Sequence, residues 1–400
     1  MKRIISFILI VAMLVCLFAG CKSELKPEGE TVETDASVET DAPAATEAPT
    51  QTPAADYSTW KVALLSETVS LEERACARSV CEACKSWCDA RGVSFTSYEP
   101  TEQTTSGLKE MIKQAVADGS RVLLLPGWTS VDAVKDCVKL FPNVRFVLVD
   151  VSANYGKSYE YPANLCNVVF QEHILGFMAG YTAVKLGYRH LSFVGSKNTA
   201  PTVRYGYGFI QGANAAAVEL DMEREIAVDL AYADTTQVDS SITACIEEMY
   251  QKKGVELCFA CGENVERAAY EAAQKIEGAK IVGTDMMALI DTEEEESPVV
   301  TSVWKDYFRA LETVLTDVIG RNLWSGYAGQ TVSLGVVSGE DLYVNYVGLA
   351  TTTKFEDGKF SLEDYKALAA ALLAGDYDIS DDVKNPPKVV IAVNYLGNIR

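Results

Sequence analysis

"RVLLLPGWTSVDAVKDCVKLFPNVRFVLVDV", residues 121–151, holds two apolar runs separated by a stretch of helical length. The runs "RVLLLPG" (121–127) and "NVRFVLVDV" (143–151) are mostly apolar, built of Leu, Val and Phe, and the stretch between them ends at "KLF". A strand apolar on both of its faces belongs inside a parallel sheet covered by crossover helices. Working outward, "WKVALL" (60–65), a helix near 71–91, "VSFTSYE" (93–99) and a helix near 105–118 complete four βα units.

The pattern restarts beyond the irregular "SANYGKSYEYPA". "NLCNVVF", "HLSFVG", "EREIAVDL", "VELCFACG" and "AKIVGTD" read as strands, and "QEHILGFMAGYTAVKLG" and "TVRYGYGFIQGANAAAVEL" as helices. One sheet holding all of these strands would be unusually large, so two successive runs of βα units imply two doubly wound lobes. Ligands of such lobes sit outside the carboxyl ends of the strands. Those ends read "LLSETVS", "LLLPGWTS", "LVDVSANYG", "FVGSKNTAP", "FACGEN", "VGTDMM" and "VTSVWKD". Their aromatics, amides, carboxylates and lysines suit a polar small molecule with a flat or apolar face. Trp128, directly after "LLLPG", is a stacking candidate on this ground alone.

The N-terminal end sets the expected compartment. Lys2 and Arg3, an apolar run from Ile4 to Phe18 and "FAGC" read as a secretory signal over residues 1–20, too short to span a bilayer. "LFAGC" looks like a lipobox, which makes Cys21 the lipid anchor. Residues 21–58 are rich in Glu, Thr, Ala, Pro and Asp and read as a disordered acidic tether. Nine acids and two lysines in it, with Lys2 and Arg3 of the signal also set aside, leave about −16 of the total −21 on the folded part, which disfavours nucleic acid.

Catalytic and cofactor signals are sparse. His173 and His190 are the only histidines and lack zinc-ligand spacing, and neither a G-x-S-x-G elbow nor a phosphate-binding G-x-x-x-x-G-K-[ST] occurs. The glycines of "GYGFIQG" (206, 208, 212) lie inside a helical pattern and read as helix packing. "DTEEEES" (291–297) lacks EF-hand spacing and reads as a solvated loop. No enzyme, cofactor or metal is therefore expected.

"ACARSVCEACKSWCDARG", residues 75–92, concentrates four of the nine cysteines that lie outside the signal region and Cys21. Nine thiols cannot all pair within one chain. Cys81, Cys84 and Cys88 fall at i, i+3 and i+7 on one helix face, so they read first as small apolar packing residues, with a disulfide or a metal as the alternatives.

At "FPNVRFVLVD", "NVVFQEHILGFMAGYTA", "VGSKNTAPTVRYGYGFIQGAN", "FACGENVERAAYEAAQ", "KIVGTD" and "TSVWKD" the chain resembles the basic membrane protein family. These are substrate-binding lipoproteins of ABC importers whose characterised members bind purine nucleosides, and the resemblance covers about residues 60–340. It implies an α/β, type I periplasmic-binding-protein fold: two doubly wound parallel-sheet lobes joined by a hinge crossed near 165, 303 and 326. The N-terminal lobe is then 59–165 plus 304–326, and the C-terminal lobe 166–303 plus 327–400. Carried over by position, the ligand would meet Asp150, Tyr205 in stacking, the backbone at Gly262, Asp285 on ribose hydroxyls and Lys305 on the sugar.

At the first strand the chain departs from the family. "ETVSLEERACAR" puts Glu67 where the family has its first Asp, Cys76 where it has a base-stacking Phe, and Ala77 where it has an Asn. The resulting expectation is a monomeric, membrane-anchored, extracytoplasmic binding protein that delivers a nucleoside-like ligand to an ABC permease. The alternative is a ligand-sensing module for a sugar or other polyol that signals to a membrane partner.

Overall fold

The computed structural model describes residues 57–71, 75–151, 161–235, 239–262, 264–284 and 297–399. Cys21 and the expected signal and tether lie outside these, as does Asp285. Among the described residues no helix is long and apolar enough to cross a membrane.

The first βα run forms a six-stranded, all-parallel sheet. It contains β1 (Lys61–Leu65), β2 (Ser94–Tyr98), β3 (Val122–Pro126), β4 (Arg145–Val149), β5 (Leu165–Phe170) and β11 (Thr331–Leu334), in the order β11-β5-β4-β3-β1-β2. Helices α1 (Ala75–Arg91), α2 (Thr105–Ala117) and α3 (Val131–Leu140) cover it. The unbroken apolar runs are explained by alternation between two cores. Val62, Leu64, Val122, Leu124 and Val147 face one, and Ala63, Leu65, Leu123, Leu125 and Leu148 the other, all fully buried. Each such Val or Leu contributes about 1.5–3 kcal/mol on burial.

The second sheet has seven strands in the order β12-β10-β9-β8-β6-β7-β13. They are β6 (His190–Gly195), β7 (Ala227–Tyr232), β8 (Leu257–Cys261), β9 (Lys280–Thr284), β10 (Val299–Lys305), β12 (Val347–Leu349) and β13 (Ala392–Asn398), and only β12 runs antiparallel to its neighbour. Phe193 and Phe259 pack on one face with α4 (Glu172–Lys185) and α5 (Ala200–Glu219). Val194 and Ala260 pack on the other with α6 (Ser240–Lys253) and α7 (Val265–Ala273). Two further helices are α8 (Tyr307–Leu315), which packs on α1, and α9 (Leu362–Ala374).

The sheet memberships move two expected boundaries. β5 and β11 both belong to the first sheet, so the chain passes to the second sheet after Phe170, not near 165, and again after Leu334, not near 326. The apolar run of β5 gave no sign of which sheet it would join, because a doubly covered strand reads the same in either. β13 has no counterpart in the sequence reading: its mostly exposed "AVNYLGN" lacks the buried-strand pattern.

Glycines lock α4 to α5. A Cβ on Gly176 would stand 2.1 Å from the Tyr205 carbonyl oxygen, and one on Gly208 would stand 2.2 Å from that of His173. One on Gly212 would meet the Phe177 oxygen at 2.0 Å, so these glycines of "GYGFIQG" serve close helix packing.

All nine described cysteines are thiols. Cys84 and Cys88 are fully buried against the first sheet with their sulfurs 4.0 Å apart, and Cys76 and Cys81 pack half-buried on the same core. The opening of α1 is thus part of the core.

Candidate functional site

The strand ends of the two sheets meet at a buried ionic network. β4 is followed directly by Asp150, whose backbone is left-handed (φ 55°) and whose N–H donates to the Val168 carbonyl on β5 at 2.8 Å. This conformation, strained for a non-glycine residue, turns the chain sharply at the strand end. β10 ends in Lys305, from the other sheet, and its Nζ donates to both Asp150 carboxylate oxygens at 2.8 and 2.9 Å. The same ammonium reaches Glu172 Oε1 at 3.1 Å, and Arg204 Nε donates to Glu172 Oε2 at 2.8 Å. The Tyr307 hydroxyl donates to Asp150 Oδ2 at 2.7 Å.

Two cations and two anions therefore balance in a pocket nearly closed to water, with side-chain exposures of 7% for Lys305, 15% for Asp150, 3% for Glu172 and 17% for Arg204. Burial by itself disfavours the Lys305 ammonium, but Asp150, Tyr205 and Glu172 reverse this and raise its pKa well above the ordinary value. Burial likewise disfavours the Glu172 carboxylate, and Lys305 and Arg204 overcome that and lower its pKa. Both groups are held charged. The rings of Phe170 and Tyr205 flank the ammonium, with centroids 5.5 and 5.7 Å from Nζ. Charged groups withdrawn from water are costly to a fold and cluster at functional sites, which makes this network the candidate site. Their chemistry suits a ligand that exchanges hydroxyls for one of these contacts.

Of the residues singled out from the sequence, the structure brings Asp150, Tyr205 and Lys305 together. Gly262, at the end of β8, has φ 98° and its N–H donates to Glu266 Oε1 at 2.7 Å. A Cβ there would stand 2.5 Å from Ser196 Oγ, so only glycine fits against the end of β6. Glu67 is drawn elsewhere: its carboxylate accepts from the Thr129 and Ser130 N–H groups at 2.9 and 2.6 Å and caps α3. Trp128 is 1% exposed in the core and its indole N–H donates to the Leu65 carbonyl at 2.8 Å. A side chain so covered offers no stacking face in this structure. Cys76 lies half-buried in the first turn of α1.

Glu172, Arg204, Tyr307 and Phe170 are the residues that sequence reasoning missed. The strand-end rule, extended to "NVVFQEH", reaches Phe170 and Glu172. Arg204 carries no local signal, because it sits inside a helix and acquires its partner only through the α4–α5 contact.

A model of the Bmp family, described as "ABC transporter substrate-binding protein PnrA-like", matches residues 65–343. The chain belongs to this family. The PnrA-like chain is also similar to solved structures. Over 80% of its length and 99% of the other chain it superposes on an ABC transporter solute-binding protein from Conexibacter woesei DSM 14684 with a TM-score of 0.59 at 16% identity. A solute-binding protein from Aeropyrum pernix K1 gives 0.56 at 16% identity, with coverages of 81% and 88%. The 5-methylthioribose transporter solute-binding protein of Thermotoga lettingae TMO, in complex with 5-methylthioribose, gives 0.51 at 13% identity, with coverages of 81% and 95%. No curated protein matches the chain. At these identities the likeness concerns the fold, which is the type I periplasmic-binding architecture of two lobes. The PnrA-like chain is thus the substrate-binding protein of an ABC transporter system.

Proposed function

We propose that this protein is the lipid-anchored, extracytoplasmic component of an ABC importer, acting as a monomer, and that it binds a nucleoside between its lobes. The observation that carries the ligand reading is the Lys305–Asp150 pair, which joins strand ends of the two sheets between the rings of Phe170 and Tyr205. Ribose hydroxyls are paired donors and acceptors that a carboxylate and an ammonium can both engage. The rings of Phe170 and Tyr205, as covered here as Trp128, flank the ionic pair and present faces to a base once the lobes part, at about 1–3 kcal/mol per stacked base. Asp285 keeps its place as a ribose partner on the family resemblance. The signal-like start, Cys21 and the acidic tether support the anchor, and the bound pentose of the Thermotoga lettingae protein shows a related ligand class on this fold.

The departure at the first strand favours a second reading, a sugar or polyol ligand with a sensing role. Glu67 caps a helix, and Cys76 and Ala77 stand where a stacking ring and an amide are expected. A thermal-shift screen with nucleosides, nucleobases and sugars separates the two. A ligand at 100 times its Kd adds about 2.7 kcal/mol of stability. Protection by adenosine or guanosine but not by sugars supports the nucleoside; a melting temperature raised by a sugar alone defeats it.

A further inference from the structure

The contacts of Lys305 divide between the two lobes, and this division assigns different roles to its two carboxylate partners. Lys305 ends β10 in the second sheet, α4 packs on β10 and β12 of that sheet, and α5 packs on β6. Glu172 and Arg204 ride on α4 and α5, so Lys305, Glu172 and Arg204 belong to one lobe. Asp150 follows β4 in the first sheet, and Tyr307, which donates to it, opens α8, which packs on α1 beside the first sheet. Of the two carboxylate contacts of Lys305, the one to Asp150 therefore spans the lobes and the one to Glu172 does not.

The Glu172 side is also the stiffer one. The glycine contacts grip the residues next to both partners: Gly208 lies against His173, beside Glu172, and Gly176 lies against Tyr205, beside Arg204. Glu172 is also the most deeply buried member of the network and accepts from two cations. Lobe movement changes interfaces more readily than it changes close-packed helix pairs.

We propose that Glu172, fixed by Arg204, is the positioning residue that holds the Lys305 ammonium toward the cleft, and that Asp150 is the partner released to the ligand. The ligand half of this statement rests on the function proposed above; the anchoring half does not. Lys305 then remains extended and charged when the lobes part, and the incoming hydroxyls find Asp150 already oriented by Tyr307.

The test follows the Lys305 ammonium in the unliganded full chain labelled with 15N at its lysine side chains, the resonance being assigned by its loss in Lys305→Met. Exchange of the ammonium protons with water should be slow in the wild type and stay slow in Asp150→Asn. In Glu172→Gln it should rise about tenfold or more, the factor set by losing one charge-assisted hydrogen bond. Arg204→Met should move it the same way by a smaller factor. Glu172→Asp, which keeps the charge but retracts it by one methylene, is the second variant should Glu172→Gln fail to fold, and it too should speed exchange. Exchange that stays slow in the Glu172 variants, or that rises as much in Asp150→Asn, overturns the proposal. Titration with adenosine and guanosine reads the ligand half: Glu172→Gln should weaken a nucleoside that the wild type binds by about tenfold or more, and unchanged affinity overturns it. A wild type that binds neither nucleoside defeats the ligand reading, while the anchoring of Lys305 is still decided by the ammonium.

Discussion

Gly180 on α4 lies against Phe209 on α5 so closely that an added Cβ would stand 2.1 Å from the Phe209 carbonyl oxygen. The obstacle is backbone, so neither side can yield by a rotamer change, and the helices must part. Gly180→Ala should therefore destabilise the protein by about 1–3 kcal/mol or more, as overpacked sites do. Gly326→Ala, where nothing stands within 4 Å of the added carbon, should stay within about 0.5 kcal/mol of wild type. Urea denaturation of both variants measures the contrast. Because Glu172, Arg204 and Tyr205 ride on this helix pair, Gly180→Ala should also weaken ligand binding from a distance.

Lys305 and Trp128 should separate the ionic site from the core. Lys305→Met leaves Asp150 and Glu172 buried without their shared cation, and breaking such a pair costs about 3–5 kcal/mol. The variant should lose both ligand-induced protection and unliganded stability. Trp128→Phe removes the hydrogen bond to Leu65 and part of a filled core. It should cost about 1–3 kcal/mol from the unsatisfied carbonyl while leaving ligand affinity within about twofold. Calorimetric titration together with melting curves checks both, and a large affinity loss in Trp128→Phe would return that residue to the cleft.

Much of this was legible in the sequence, for identifiable reasons. "RVLLLPG" and "NVRFVLVDV" announce parallel strands because their central positions, 122–125 and 146–149, are all apolar, and the structure buries them on both faces. Asp150 and Lys305 follow from the strand-end rule and the family resemblance together. The boundary after β5 was not legible, since covered strands of either sheet look alike. Arg204 was hidden because its role depends on where α4 sets Glu172. Trp128 shows the opposite error: a strand-end aromatic looks like a ligand platform until the β1 carbonyl that captures its N–H is seen.

The thiols should sort by burial. Cys84, Cys88, Cys137, Cys166 and Cys258 are fully buried. Burial pushes the Cys137 thiol up to about 11 and the Cys258 thiol up to about 12, and lifts Cys84 and Cys166 as well. A fully covered sulfur is out of a reagent's reach and only thiolates react readily, so by burial alone these five should resist a thiol reagent in the native protein and react on unfolding. Mass spectrometry after native and denaturing alkylation reads the difference site by site. Protein purified without chelator should contain no stoichiometric zinc, because Cys84 and Cys88 are packed as core and Cys258 and Cys261 lie in a separate strand.

The ionic network should leave a pH signature at its acidic edge. Lys305, Arg204, Asp150 and His173 are the titratable and charged groups around Glu172. The folded-state pKa of Glu172 lies below its ordinary value of 4.5, so its contribution to stability is fully present above about that pH and disappears as the pH falls through the folded value. For Lys305 the folded value lies above the ordinary 10.5, so its contribution holds below 10.5 and is lost only as the pH rises further. Glu172→Gln removes the group that titrates at the acidic edge and also part of the support for the Lys305 ammonium, which stays charged throughout the acidic range. At about pH 7 the variant should be less stable than wild type by about 3–5 kcal/mol, the cost of leaving buried cations without their carboxylate. As the pH falls through the folded value of Glu172 the wild-type carboxyl gains its proton and comes to resemble the amide, so the two denaturation midpoints should converge. A gap that stays constant from neutral to acidic pH would show that Glu172 acts in this network by its shape and not by its charge.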